Sequence, residues 1–223
     1  MRIVITALYS GVISGGRTMS TEELTTLEAI HRAAKEEFLK KGFRSASLRN
    51  IVKTAGVTTG AFYGYYDSKI ELFEALVKEQ YDTFLGAYKK TIREFGEMPP
   101  QKQMENLGTF SFRCVHDMLL YAYDNLTEFK LLLCCSEGTP YAGMLDEMVE
   151  IEIKATHDFQ ETLDRIGKPS PQIDPQLEHI LITGMFNAYF ELIIHEIPTA
   201  QAEAYLSQMW DFYCAGWYKI MGQ

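Results

Sequence analysis

From Leu24 onward, apolar side chains return at three- and four-residue steps, at Leu27, Ile30, Ala34 and Phe38, which predicts an amphipathic helix. Gly42 ends it at a position that needs a left-handed residue, with Phe43 packing back. Ser47 is the N-cap of a short second helix that carries Leu48, Ile51, Val52 and Ala55 on one face, and Gly56 breaks it. Thr58 caps a third, very short helix. Val57 before that cap and Phe62 four positions into the helix have the spacing of a hydrophobic staple, which sets the angle of chain entry. Ser68 and Glu71 form a capping box that opens a long helix, with Phe73, Val77, Tyr81, Phe84, Tyr88, Ile92 and Phe95 in one stripe. From Lys69 to Phe95 it would measure ~40 Å.

Pro99 and Pro100 end that stripe, and four or five further helices follow. One covers 101–123 and a short apolar one Leu126–Ser136. Another starts at the Thr139-Pro140 signal and stops at Gly167. Asp174-Pro175 opens the next, to Glu196, and Pro198 separates it from the last, 199–221. No alternating strand pattern, internal repeat or low-complexity tract interrupts the series. The chain reads as all-α: an N-terminal tri-helical helix-turn-helix unit joined by a long helix to a helical bundle, about nine helices in all. The boundaries are 1–20, a disordered tail or a mis-assigned start with Met19 the true one; 21–69, the tri-helical unit, with its motif at 47–66; and 70–223, the bundle.

Composition changes this picture in one respect. The net charge of −9 by itself argues against a nucleic-acid binder, but residues 1–70 carry +4 and residues 71–223 carry −13. A phosphate-facing segment on an acidic body has that distribution. Cys114, Cys134, Cys135 and Cys214 have neither metal-ligand spacing nor the density of a disulfide framework, and fit reduced thiols in a cytoplasm. His116, His157, His179 and His195 are scattered without paired-ligand spacing, so no metal and no cofactor is expected. No uninterrupted apolar run reaches the ~20 residues of a membrane span, so no membrane partner is expected. An enzyme on a helical scaffold is the competing class. No phosphate loop, Gly-x-Ser-x-Gly elbow, His-Glu-x-x-His or Cys-x-x-Cys is present to carry it.

The run GFRSASLRNIVKTAGVTTGAFYGYYDSKIELFEAL (42–76) resembles the DNA-binding domain of the TetR family of bacterial regulators. The matching features are Gly-Phe at 42–43, Ile51, Ala-Gly-Val at 55–57, small residues at 58–61, Phe-Tyr at 62–63, the aromatic pair 65–66 and Ser-Lys at 68–69. The resemblance implies that Ser47, Arg49, Thr58, Thr59, Gly60, Ala61, Tyr63, Gly64, Tyr65 and Lys69 contact operator DNA. Hydroxyls at Thr59 and Tyr63 suit bases or phosphates, Ala61 a thymine methyl, and Gly60 a close backbone approach in a major groove ~12 Å wide. Two residues depart from the pattern. Gly64 replaces a larger side chain, at a cost of ~1 kcal/mol if it lies within the short helix, and Tyr65 stands where His is common.

The helix from 175 to 196 is apolar nearly all round, so more than one of its faces must be covered. By the same resemblance the last two helices form a homodimer interface, with Gly184, Ala188, Met209, Tyr213 and Trp217 as its candidates. The middle helices enclose a pocket for a small, largely apolar effector, with Phe110, Arg113, Cys114, Asp117, Tyr141, Met144, Met185 and Tyr189 as candidates. Arg113 and Asp117, four apart on one helix, also make an ordinary surface ion pair. The implied function is a dimeric, cytoplasmic, double-stranded-DNA-binding repressor released by its effector. The alternative is control by a protein partner or by thiol redox state.

Overall fold

The computed structural model describes residues 21–222, and the expectations for residues 1–20 lie outside them. Nine helices are found among the described residues: α1 (Thr21–Ser45), α2 (Leu48–Ala55), α3 (Thr59–Phe62), α4 (Lys69–Gly96), α5 (Pro100–Asp124), α6 (Leu126–Cys135), α7 (Met144–Arg165), α8 (Pro175–Ile194) and α9 (Thr199–Ile220). No strand occurs among those residues.

The caps read from the sequence close as hydrogen bonds. The Ala61 N–H donates to Thr58 Oγ1 at 3.0 Å, the Glu71 N–H to Ser68 Oγ at 3.1 Å, and the Gln176 and Leu177 N–H groups to Asp174 Oδ1 at 2.9 and 3.1 Å. Glu71 returns its carboxylate to the Asp67 N–H, one residue before the expected position. Gly42 has φ 71° and ψ 163°, a mirror-β conformation that kinks α1 and brings Phe43 back onto the core. Thr139-Pro140 does not begin a helix. Thr139 Oγ1 donates to the Ser136 carbonyl and accepts from the Tyr141 N–H, which makes a turn, and α7 starts at Met144.

One core runs through both units. Ile30, Ala34, Phe38, Ile51, Phe62 and Leu72 are fully buried, and Phe73 at the head of α4 carries this cluster into the bundle. Phe38, Phe43 and Phe73 form an edge-to-face group, with Phe73 centroids 5.2 and 5.4 Å from the other two. Further along, Phe73 packs on Tyr141, and Tyr141 on Tyr81 at 5.0 Å. α6 braces α1 from the bundle side through Lys35–Glu128, and the turn after α6 does so through Arg44–Glu137. The short helices of the N-terminal unit are therefore mounted on the bundle by apolar packing at α4 and by ion pairs at α6 and the turn after it.

α8 is long and apolar enough to cross a membrane by length and composition, which corrects the expectation that no segment reaches that threshold. Its isolated polar residues interrupt the apolar run without much lowering its average. Within the chain, Ile182, Phe186, Tyr189, Phe190, Leu192 and Ile193 are packed into the core, as for a bundle's central helix.

Candidate functional site

The sequence-predicted DNA-contact residues form two groups. Arg49 on α2 and Thr58, Thr59, Gly60, Ala61, Tyr63 and Gly64 around α3 are exposed, while Ser47 and Tyr65 are half-buried. Packing explains the division. Ile51 and Val52 turn one face of α2 inward and Phe62 anchors α3, so the residues between these anchors face outward. Tyr63 is 52% exposed, and its ring meets Phe62 edge-on at 5.4 Å, which orients the hydroxyl away from the core. Gly64 lies beyond the end of α3, in the turn that follows, so the helix-interior cost does not apply. A Cβ there would sit 3.2 Å from the Ala61 carbonyl oxygen, and glycine relieves that crowding.

Lys69 occupies a different environment. Its ammonium donates to the carbonyls of Phe43 at 2.6 Å, Ala46 at 3.0 Å and Arg44 at 3.3 Å, and lies 4.5 Å from the centre of the Phe43 ring. All three donors are engaged on the last turn of α1 and on Ala46 just after it. Burial holds its pKa below the ordinary lysine value.

Glu37 was missed by the sequence reading. Its Oε1 accepts from Lys41 Nζ and the Ser47 N–H, each at 2.9 Å, and from Asn50 Nδ2 at 3.4 Å. Lys41 and these N–H donors hold its pKa below the usual carboxylate range. A negative charge there complements the positive end of α2 and orients the face that carries Arg49. Glu37–Lys41 has the spacing of a routine helical ion pair, and only the fold brings residue 47 to it.

The bundle encloses an apolar cavity of about 120 Å³ between the C-terminal half of α4 and α5, α7, α8 and α9. Phe110 and Met185 line it, and Tyr189 lines an adjoining space of about 20 Å³ that shares Met185, Trp210 and Tyr213. The remaining pocket candidates lie elsewhere. Arg113 and Asp117 are on the outer surface, 3.9 Å apart, and the Cys114 thiol points to Met118 Sδ. Tyr141 and Met144 are buried near the head of α4 and at the start of α7. Glu152 and Tyr88, absent from the candidates, meet at the cavity wall, where the Tyr88 hydroxyl donates to Glu152 Oε2.

The dimer candidates also separate. Gly184 is exposed and Ala188 half-buried on α8, whereas Met209, Tyr213 and Trp217 turn inward to line the two spaces. The outward faces carry Leu177 and Ile180 on α8, and Tyr205 and Phe212 on α9, with Phe212 73% exposed. Burial raises the thiol pKa of Cys134 and Cys135, with Cys135 buried and Cys134 exposed.

A short helix mounted outward on the buried Phe62, after a capped second helix, has the form of a helix-turn-helix unit. Residues 30–76 match the family described as bacterial regulatory proteins, tetR family. The chain is 36% identical over 61 residues to the HTH-type transcriptional repressor BepR of Brucella suis, a match that covers 27% of this chain and 29% of that protein. To the HTH-type transcriptional regulator UidR of Escherichia coli it is 32% identical over 74 residues, 33% of this chain and 38% of that one. The matched segments thus span under two-fifths of these relatives, both of which are named as regulators and not as enzymes. The whole fold is similar to that of SCO3833, a TetR-family regulator from Streptomyces coelicolor, with a TM-score of 0.56 at 14% identity over 92% of this chain and 95% of that one.

Proposed function

We propose that the protein is a dimeric, sequence-specific DNA-binding transcription repressor of the cytoplasm that leaves its operator when a small, largely apolar effector enters the bundle cavity. The observation that carries this reading is the outward surface around α3, where Thr58, Thr59, Gly60, Ala61 and Tyr63 are exposed above the buried Phe62. Thr59 and Tyr63 would meet bases or phosphates, and Arg49, Ser47 and Tyr65 would flank them. Gly64 allows the backbone to come close to the duplex. Lys69 would act indirectly, holding the end of α1 and Ala46, which lead into Ser47 and Arg49.

Two copies paired through the outward faces of α8 and α9, around Leu177, Ile180, Gly184, Tyr205 and Phe212, would set two α3 helices ~34 Å apart, one turn of B-DNA. The cavity touches the C-terminal half of α4, and the head of α4 carries Lys69, so an effector that favours one position of α4 would change that spacing. Such a ligand acts only by its unequal affinity for the two positions.

The test is fluorescence anisotropy of the full chain with DNA from upstream of its own gene and genomic fragments, against random DNA at two salt concentrations. Binding that exceeds random DNA, weakens with salt and drops by ~10-fold or more in Tyr63→Ala and Arg49→Ala is the expected result. Equal affinity for all sequences, with no effect of these substitutions, would overturn it.

A further inference from the structure

We propose that the bundle cavity is built for an organic cation, an amine or quaternary ammonium on an apolar or aromatic body, with Glu152 as its counter-charge. This rests on the reading of the cavity as the effector site, and adds the chemical class of the effector. The cavity wall is almost wholly apolar, and no lysine, arginine or histidine belongs to it. A single ionisable carboxyl, Glu152, opens onto that space. One of its oxygens takes the Tyr88 hydroxyl, and no cation stands beside it among the described residues.

A carboxylate set in an apolar wall with one neutral donor is poorly satisfied, because burial disfavours its charged form. Its pKa is indeed raised by burial, and the Tyr88 hydrogen bond offsets this only in part. A cation in the cavity would remove that penalty, whereas a bound anion would face Glu152 across an apolar gap. The opposite wall supplies the second half of a cation site. Trp210, Trp217, Tyr213 and Tyr218 line the space, with Phe95 and Phe159, tilted at 58° with centroids 5.8 Å apart, also in its wall. Aromatic faces attract ammonium groups through their quadrupole, most strongly where water is excluded. The Trp210 indole N–H is engaged by the Gly108 carbonyl at 3.0 Å, which fixes that ring in the wall.

The chain has two tryptophans, Trp210 and Trp217, and both line the cavity, so intrinsic fluorescence reports on its occupancy. The full-length protein would be titrated with 4-phenylbutylamine, 4-phenylbutanol and 4-phenylbutyrate, which differ in charge on one body. The expected order is the amine ~10-fold or more tighter than the alcohol, with the carboxylate weakest. In Glu152→Gln, amine affinity should fall to that of the alcohol while alcohol affinity is unchanged. Equal binding of amine and alcohol, tighter binding of the carboxylate, or an amine preference that survives in Glu152→Gln would overturn the cation assignment and leave the cavity as an effector site. If none of the three perturbs the fluorescence up to millimolar concentration, both readings fail together. The comparison among ligands on the unmodified protein decides the matter even if the variant does not fold.

Discussion

Replacing Lys69 by methionine separates a phosphate contact from a structural clamp. Methionine keeps most of the stem that packs over Phe43 and removes the three donors to the Phe43, Arg44 and Ala46 carbonyls. A hydrogen bond from a charged group contributes about 1.5–3 kcal/mol at most. Three do not add at that rate here, because the ammonium is only partly buried and the freed carbonyls can turn to water. The cation–π contact adds about 0.5 kcal/mol. A total of about 2 kcal/mol follows, equivalent to ~4–8 °C in Tm for a chain of this size. Urea or thermal unfolding followed by circular dichroism would measure it. DNA affinity should fall by a common factor for all sequences, while the slope of log affinity against log salt stays unchanged, since no counterion-releasing contact has been removed. A variant of undiminished stability whose salt slope falls by about one would refute the clamp and make Lys69 a phosphate ligand.

Three further outcomes are expected. Gly42→Ala should cost ~1–3 kcal/mol by urea unfolding, because φ 71° with ψ 163° is nearly closed to side chains although no atom lies within 4 Å of the new Cβ; Gly56→Asn, at φ 71° and ψ 21°, should cost less than half as much. The His31 imidazole, paired with the Tyr66 hydroxyl, is held below its ordinary 6.5 by burial and by Lys35. The unfolded chain therefore takes up the proton first as the pH falls through 6.5, and stability present above that pH is lost below it, by at most ~1.4 kcal/mol for each unit that the folded value is depressed. Unfolding at pH 7.5 and 5.5 should show a smaller loss in His31→Gln than in the parent, and equal losses would contradict the assignment. Phe212→Lys should weaken self-association ~30-fold or more in analytical ultracentrifugation and leave the monomer's helix content intact, because an exposed face carries this ring; an unchanged dissociation constant would move the interface elsewhere.

Helix positions, caps and the outward helix-turn-helix surface were legible in the sequence because they are local properties. Apolar spacing, Ser, Thr and Asp caps and glycine stops act within a few residues, and the motif at 42–76 is a contiguous string. Thr139-Pro140 misled because a cap signal competes with turn chemistry, and Thr139's own hydroxyl settled the matter in favour of the turn. The tertiary structure alone decided which faces meet. α8 is apolar all round and α9 carries large apolar groups on two sides, so their patterns do not distinguish a wall of the cavity from a free surface. Packing against α5 and α8 turned Tyr213 and Trp217 inward and left Phe212 outside. The same holds for Lys69, Glu37 and Glu152. Their partners are carbonyls, N–H groups and a hydroxyl 10 to 64 residues away, and a charged side chain gives no sign in the sequence of which distant backbone or ring it will meet.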